Sequence, residues 1–212
     1  MASIRLLAAL LAGLCVFTTT ATATDVDLTA RLKLVKSDTA LSESLFKTGR
    51  KVAAVCAHCH GEGGNSVNAG IPNLAGQNPA FLIEQLRKFE DGRRSNEFMQ
   101  GMIKAMNSDE KIGIVLFYSS QKVTPKPALN TALIAKGKTY YDKICWRCHS
   151  EDGRSDGQFA RIAGQQPEYL SMMLKRYRAG SIMVGDPLMA ASTRLMTDED
   201  IEAVVAYVTS IP

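Results

Sequence analysis

The feature that most constrains this chain is a five-residue motif, C-x-x-C-H, that occurs twice in its 212 residues. This is the spacing of a c-type haem attachment site. Two thiols one helical turn apart can form thioethers with the two vinyl groups on one porphyrin edge. The histidine that follows then lies under the iron as its proximal ligand. The predicted attachment residues are Cys56, Cys59, Cys145 and Cys148, and the predicted proximal ligands are His60 and His149.

Three other uses of the cysteines explain less of the pattern. Structural disulfides are common in exported proteins, but they leave unexplained why a histidine follows each pair when the chain has only three. A zinc site built from four cysteines usually has its pairs about 15–20 residues apart, much closer than Cys59 and Cys145. A redox dithiol also ignores the histidines. We therefore predict two covalently bound haem c groups. The remaining histidine, His58, lies between two cysteines and is predicted to be a surface residue near the haem edge.

Residues 1–23 predict a cleaved secretory signal peptide. A basic Arg5 precedes an apolar run, and an Ala-x-Ala site ending at Ala23 follows it. The run is shorter than the roughly 20 apolar residues of a membrane span. We predict an exported product without a transmembrane segment. The alternatives are an uncleaved membrane anchor and a lipoprotein signal at Cys15, which normally needs a small residue where this chain has Leu14.

The two motifs mark an internal duplication. They lie 89 residues apart, and the segment Leu-Ala-Gly-Gln at residues 74–77 returns as Ile-Ala-Gly-Gln at residues 162–165. A stretch that contains two prolines separates the copies and interrupts any helix. The predicted organisation is a first domain at residues 24–121, a linker at 122–129 and a second domain at 130–212.

The predicted fold class is all-α, because both copies show helical patterns and no convincing strand. Helices at residues 45–55 and 132–144 lead into the motifs. Asn78 and Pro79 predict a helix start with an N-cap and a proline at the first position. Residues 107–110 and 197–200 predict the start of the last helix in each copy, the latter with a capping-box pattern. Each copy is so short that its haem must supply much of the core.

Methionine is the predicted distal ligand of both irons, because the chain has too few histidines for two bis-histidine sites. Two methionine pairs recur in both copies. Met106 and Met196 stand directly before the N-cap of the last helix, where an apolar side chain packs on the first turn. Met99 and Met189 are predicted to lie in the preceding loop and to ligate the irons. The alternatives are Met102 in the first copy and Met183 in the second.

Histidine and methionine together fill both axial positions and leave no open site for a substrate. Thioether ligation and burial in a dry pocket both raise the reduction potential. The chain is therefore predicted to pass single electrons rather than to act as an enzyme. A proximal histidine normally donates its other ring nitrogen to an acceptor, and the Pro72 carbonyl is a candidate acceptor in the first copy.

Together these residues resemble the cytochrome c4 family, the diheme class I cytochromes c of the bacterial periplasm. The resemblance rests on residues 56–61, 64–66, 71–77, 145–149, 162–165 and 197–201, with Met99 and Met189. It implies two tandem class I cytochrome c domains, each wrapped around one haem, with the haem propionates facing each other. It also implies periplasmic electron transfer between respiratory-chain partners, often toward a terminal oxidase. Expected donors are a quinol-oxidising complex or a dehydrogenase, with peripheral association to membrane complexes.

Two other functions stay open at this point. The duplicated chain also resembles the haem subunit of flavocytochrome c sulfide dehydrogenase, which works with a flavoprotein partner. A diheme enzyme such as a peroxidase is the third hypothesis, and it requires an open iron. Nucleic-acid binding has no support, because the net charge is only +4 and no block of like charge occurs.

The two copies differ around their motifs, and we predict that the two haems differ in reduction potential. Ala160 stands where the first copy has Pro72, and the glycine-rich run after His60 becomes Ser-Glu-Asp-Gly after His149. A redox titration followed in the visible spectrum should resolve two components. A titration that fits a single component would contradict this prediction.

Overall fold

A computed structural model describes residues 27–126, 130–181 and 186–212. Within these ranges the chain is helical and contains no β-strand, which confirms the predicted all-α class. None of the helices in these ranges has the length and apolar character that a membrane crossing requires. The predicted signal peptide, residues 127–129 of the predicted linker, and Met183 lie outside the described residues.

Each copy of the repeat forms a bundle of helices. The first copy contains α1 (Leu28–Ser37), α2 (Thr39–His60), α3 (Pro79–Glu90), α4 (Glu97–Ala105) and α5 (Ser108–Ser120), with a 3₁₀ turn at Glu62–Gly64. The second contains α6 (Thr131–Tyr141), α7 (Trp146–His149), α8 (Pro167–Arg178), α9 (Pro187–Thr193) and α10 (Asp198–Ser210). The three helices that follow the motif begin at corresponding residues in the two copies, as the duplication predicts.

Helix starts follow the capping residues of the sequence. Asn107 and Thr197 each form a complete capping box at α5 and α10, as the pattern indicated. Asn78 precedes α3 as predicted, but its side chain makes no capping bond. It donates instead to the carbonyls of Arg154 and Phe159 in the second copy, at 3.0 and 2.6 Å. A contact between copies has thus replaced a local cap.

The sequence analysis did not predict α1. Asp27 caps it by accepting from the amide of Thr29 at 2.9 Å. Three buried apolar side chains, Leu28, Leu32 and Val35, attach it to the first core. Their spacing is helical, but the segment is short and follows the predicted cleavage site directly.

A close helix crossing positions the helix that leads into the motif in each copy. Gly49 of α2 faces Gly113 of α5 so closely that a Cβ on Gly49 would lie 1.9 Å from the Gly113 carbonyl oxygen. In the second copy a Cβ on Gly137 of α6 would lie 1.9 Å from the Ala203 oxygen of α10. Because only glycine permits this approach, the crossing fixes the position of α2 against α5 and of α6 against α10.

Replacing Gly49 by alanine should therefore lower the free energy of unfolding by about 1–3 kcal/mol, since the two helices must separate to admit the methyl group. Chemical denaturation followed by circular dichroism measures the change. Gly101→Ala in α4 is the matched control. No atom lies within 4 Å of its added Cβ, and removing a helical glycine should stabilise by about 0.5–1 kcal/mol. A Gly49→Ala protein as stable as the parent would contradict the crossing.

Candidate haem-binding sites

Both C-x-x-C-H motifs lie at the end of a helical segment. The first occupies the last turn of α2, which ends at His60. In the second copy α6 ends at Tyr141, earlier than predicted, and a short turn connects it to α7. The His149 amide still donates to the Cys145 carbonyl at 3.1 Å, so this motif also forms a helical turn. Both motifs thus keep their two thiols about one helical turn apart.

The cysteines do not match the alternative uses of such pairs. None of the four forms a disulfide, so both pairs are available for another use. Burial raises the pKa of the Cys56 thiol and raises that of Cys145 to about 11, so neither of these two cysteines has the lowered pKa of a reactive thiol. No group of three or more His, Cys, Asp or Glu side chains that could hold a metal ion occurs among the described residues. The zinc hypothesis therefore finds no support.

The histidines after the cysteines are buried and fixed in one orientation. His60 and His149 are each 8% exposed. Their Nδ1 atoms lie 2.9 Å from the carbonyl oxygens of Pro72 and Ala160, respectively. A carbonyl only accepts, so Nδ1 must carry the proton, and the lone pair of Nε2 is free for a metal. Burial lowers the pKa of both imidazoles, which favours this neutral form.

The Pro72 acceptor is thus confirmed, and the loss of proline in the second copy does not change the bond. His58, in contrast, is exposed, and its Nδ1 contacts the Val55 carbonyl of its own helix at 3.0 Å. This placement agrees with the surface position predicted for it.

The residue after each histidine has an unusual backbone conformation. Gly61 has φ 76° and ψ 161°, and Ser150 has φ 61° and ψ 168°. This region is open almost exclusively to glycine. A Cβ on Gly61 would also lie 1.9 Å from the Asn65 carbonyl oxygen. The second copy therefore holds a strained serine where the first has glycine, directly beside the buried histidine.

The candidate methionines lie in helices, and the prediction that a loop carries them was wrong. Met99 is in the first turn of α4 and Met189 in the first turn of α9. The reason is a pair of N-caps: Asn96 accepts from the Met99 amide at 2.9 Å, and Asp186 from the Met189 amide at 3.1 Å. Asn and Asp three residues before each methionine were the sequence signal for these helices.

The remaining methionines of the repeat have different surroundings. Met196 is 5% exposed in the second core, and Met106 packs against the first core, which agrees with a packing role. Met102 is partly buried like Met99 and lies one turn further along the same helix. Both side chains can therefore reach the same face of α4.

Two buried polar atoms of the described residues have no hydrogen-bond partner, and one of them lies beside a histidine acceptor. The Arg161 Nε and the Tyr118 hydroxyl are the buried side-chain polar atoms without a hydrogen-bond partner in the described part of the chain. Such unpaired groups are rare in native proteins. Arg161 directly follows the His149 acceptor residue, and its guanidinium suits a carboxylate such as a haem propionate. With the cysteine pairs and oriented histidines, the donor set fits haem c in both copies.

Two glutamines hold the copies together with the same geometry. Gln165 accepts from the Asn73 amide at 2.7 Å and donates to the Asn73 carbonyl at 3.1 Å. Gln77 accepts from the Arg161 amide at 2.7 Å and donates to the Arg161 carbonyl at 2.9 Å. The two glutamines are equivalent residues of the repeat, and so are the residues that they bind, Asn73 and Arg161. The interface has the form of a two-fold symmetric dimer within one chain.

Sequence reasoning found these glutamines as part of the repeat but missed their role. The available signal was that a polar residue ends the best-matched segment in both copies. The interface also contains contacts between charged or polar side chains of the two copies. Lys88 of α3 lies 3.5 Å from Asp186 at the start of α9, and Arg94 donates to the Tyr169 hydroxyl at 2.8 Å.

The sequence matches the family model for cytochrome c over residues 46–113 and 134–212. A cytochrome c4 of Thiocapsa roseopersicina is 32% identical over 170 residues, which cover 74% of this chain and 87% of that protein. A thiosulfate dehydrogenase electron acceptor of Thiomonas intermedia (strain K12) is 34% identical over 174 residues, which cover 76% and 80%. The crystal structure of reduced cytochrome c4 from Pseudomonas stutzeri superposes with a TM-score of 0.72 at 28% identity, covering 78% of this chain and 98% of that one.

The strained backbone of Ser150 predicts opposite stability changes for exchanging glycine and serine in the two copies. Ser150→Gly should raise the free energy of unfolding by about 1 kcal/mol, because relief of backbone strain exceeds the added chain entropy. Gly61→Ser should lower it by about 1–3 kcal/mol through strain alone, and its Cβ would also contact the Asn65 carbonyl. Denaturant titration of both holoproteins measures the changes. A Ser150→Gly protein less stable than the parent would show that the serine is not strained.

Proposed function

The chain belongs to the cytochrome c4 family, and from this membership we propose that it relays electrons between periplasmic redox proteins of a respiratory chain, toward a terminal oxidase. It is a diheme electron-transfer cytochrome with two covalently bound haem c groups. The observation that carries the proposal is an arrangement that occurs in both copies. It consists of a cysteine pair, a buried histidine whose Nδ1 donates to a backbone carbonyl, and a capped helix that bears a methionine.

Each domain supplies the residues for one haem. The proposed covalent attachment sites are Cys56 and Cys59 in the first domain and Cys145 and Cys148 in the second. The proposed axial ligands are His60 with Met99 and His149 with Met189. The proposed domain boundaries are those of the repeat, residues 24–121 and 130–212, joined by the linker at 122–129.

Bound haem supplies a one-electron couple, and the surrounding residues determine its reduction potential. The buried histidines orient their rings through the carbonyls of Pro72 and Ala160. The apolar cores exclude water, which disfavours the additional positive charge of the oxidised state and raises the potential. If His60 with Met99 and His149 with Met189 hold the two irons, neither domain would present a site for substrate chemistry. We therefore propose an electron carrier and not an enzyme.

Export to the periplasm is part of the proposal. Its support is the signal-peptide pattern at residues 1–23 and the chemistry of the cofactor, whose attachment occupies all four cysteines beyond that segment. Localisation of a tagged full-length chain by cell fractionation tests it. Recovery of the holoprotein with periplasmic markers is expected, and recovery with cytoplasmic markers would contradict it.

A second candidate function is that of an electron-accepting subunit of a dehydrogenase. The observation in its favour is the relative from Thiomonas intermedia that is named as the electron acceptor of a thiosulfate dehydrogenase. In this role the same two haems would accept electrons from one dedicated partner. Purification from native membranes and periplasm separates the two functions, since a dehydrogenase that stays bound to this chain would favour the subunit role.

The methionine ligands are tested by their far-red charge-transfer absorption to oxidised iron. Met99→Ala and Met189→Ala should each remove about half of this band, because each removes one of two thioether ligands. Met102→Leu is the matched control for the first domain, and Met196→Leu for the second. Both controls should keep the full band. Loss of half the band in Met102→Leu with none in Met99→Ala would assign the ligand to Met102.

A further inference from the structure

One peptide group connects the histidine of each domain to the opposite domain. The peptide between Pro72 and Asn73 accepts from His60 Nδ1 through its carbonyl at 2.9 Å. Its N–H donates to Oε1 of Gln165, in the second domain, at 2.7 Å. A continuous path of two hydrogen bonds through one peptide therefore runs from a ring nitrogen in one domain to a side-chain amide in the other.

The second domain repeats this path in the opposite direction. The peptide between Ala160 and Arg161 accepts from His149 Nδ1 at 2.9 Å. Its N–H donates to Oε1 of Gln77, in the first domain, at 2.7 Å. Two independent occurrences with equal distances, related by the repeat, indicate a preserved arrangement rather than an incidental contact.

The glutamine amides are fixed in the orientation that the path requires. Gln77 and Gln165 are 6% and 7% exposed. Each Nε2 donates to the carbonyl of the same residue whose N–H its Oε1 accepts, so exchanging oxygen and nitrogen would break both bonds. Each Oε1 also accepts from the amide of the following residue, Asn78 or Gln166, at 2.9 Å.

Hydrogen bonds in such a chain polarise one another. An acceptor on the peptide N–H increases the negative charge on the carbonyl oxygen of the same peptide. That oxygen then withdraws the Nδ1 proton more strongly, and the imidazole becomes a more basic ligand. A more basic ligand stabilises the oxidised iron over the reduced iron, because the oxidised state carries one more positive charge.

We propose that Gln165 and Gln77 are cross-domain positioning residues, each of which lowers the reduction potential of the haem held by the other domain. Gln165 acts on the first haem through the peptide after Pro72, and Gln77 acts on the second through the peptide after Ala160. The proposal rests on the proposed function, in which His60 and His149 are the proximal ligands.

The test is a pair of crossed substitutions in the diheme protein. Gln165→Leu removes the acceptor from the first path, so the first haem should become easier to reduce. At a fixed applied potential the ratio of oxidised to reduced first haem should fall about two- to fivefold, while the ratio for the second haem stays unchanged. In Gln77→Leu the ratio for the second haem should fall and that for the first should stay unchanged. Spectroelectrochemical titration, with the haems assigned by the methionine variants, measures both ratios.

Gln165→Glu distinguishes the path from general damage to the interface. A glutamate keeps an oxygen acceptor for the Asn73 amide but, like leucine, loses the donor to the Asn73 carbonyl. The first haem should therefore titrate at or below its parental potential although this interface bond is lost. Tyr169→Phe is the matched interface control, since it removes the bond from Arg94 and touches neither peptide. It should leave both haems close to their parental values.

Proton NMR of the reduced protein gives a readout independent of the titration. The Nδ1 proton of His60 should move upfield in Gln165→Leu, and that of His149 only in Gln77→Leu. Equal shifts of both haems in either leucine variant, a shift confined to the variant's own domain, or a Gln165→Glu protein that behaves like Gln165→Leu would overturn the proposal. Failure of the proposed function is recognised separately, because the parent would then lack ring-current-shifted Nδ1 resonances for these histidines.

Discussion

The bond between each buried histidine and a backbone carbonyl is the interaction on which both sites depend. It fixes the tautomer, because a carbonyl can only accept, and it leaves one nitrogen of each ring free for iron. Because the acceptor is backbone, the bond survives the change from Pro72 to Ala160. What the side chain of that residue contributes is the rigidity of the loop, and in this structure the contact with the other domain supplies support in both copies.

The packing around this interaction follows from the duplication. Glycines let the helix that leads into the motif approach the last helix closely in each domain. The loops that supply the carbonyl acceptors then meet at the interface, and each domain closes the hydrogen bonds of the other. The domains are therefore joined through the segments that orient their histidines, so that the distance between the two sites and the orientation of each ring have a common structural origin.

Much of this arrangement could be predicted from the sequence, and the rest has physical reasons for being hidden. The haem motifs and the capping boxes at Asn107 and Thr197 are short residue patterns, and the repeat is a match between two segments. All of these can be recognised in a single sequence. The helices that carry Met99 and Met189 were missed, although Asn96 and Asp186 are typical N-cap residues, because these helices are only nine and seven residues long. The side chain of Asn78 binds the other copy instead of capping its own helix. The partners of Gln77 and Gln165 lie more than 80 residues away in the chain, so no local pattern reveals them.

Fusion of two similar halves into one polypeptide removes a restriction that symmetric assemblies of identical subunits obey. In such an assembly every substitution appears on both sides of the axis, whereas here each side can change alone. The pair of Lys88 with Asp186 exists on one side only, and the neutral Asn96 occupies the position equivalent to Asp186. A charge can thus be placed beside one centre and withheld from its twin. Because both halves are encoded in one chain, a nearly symmetric protein can have two haem sites with different charged surroundings.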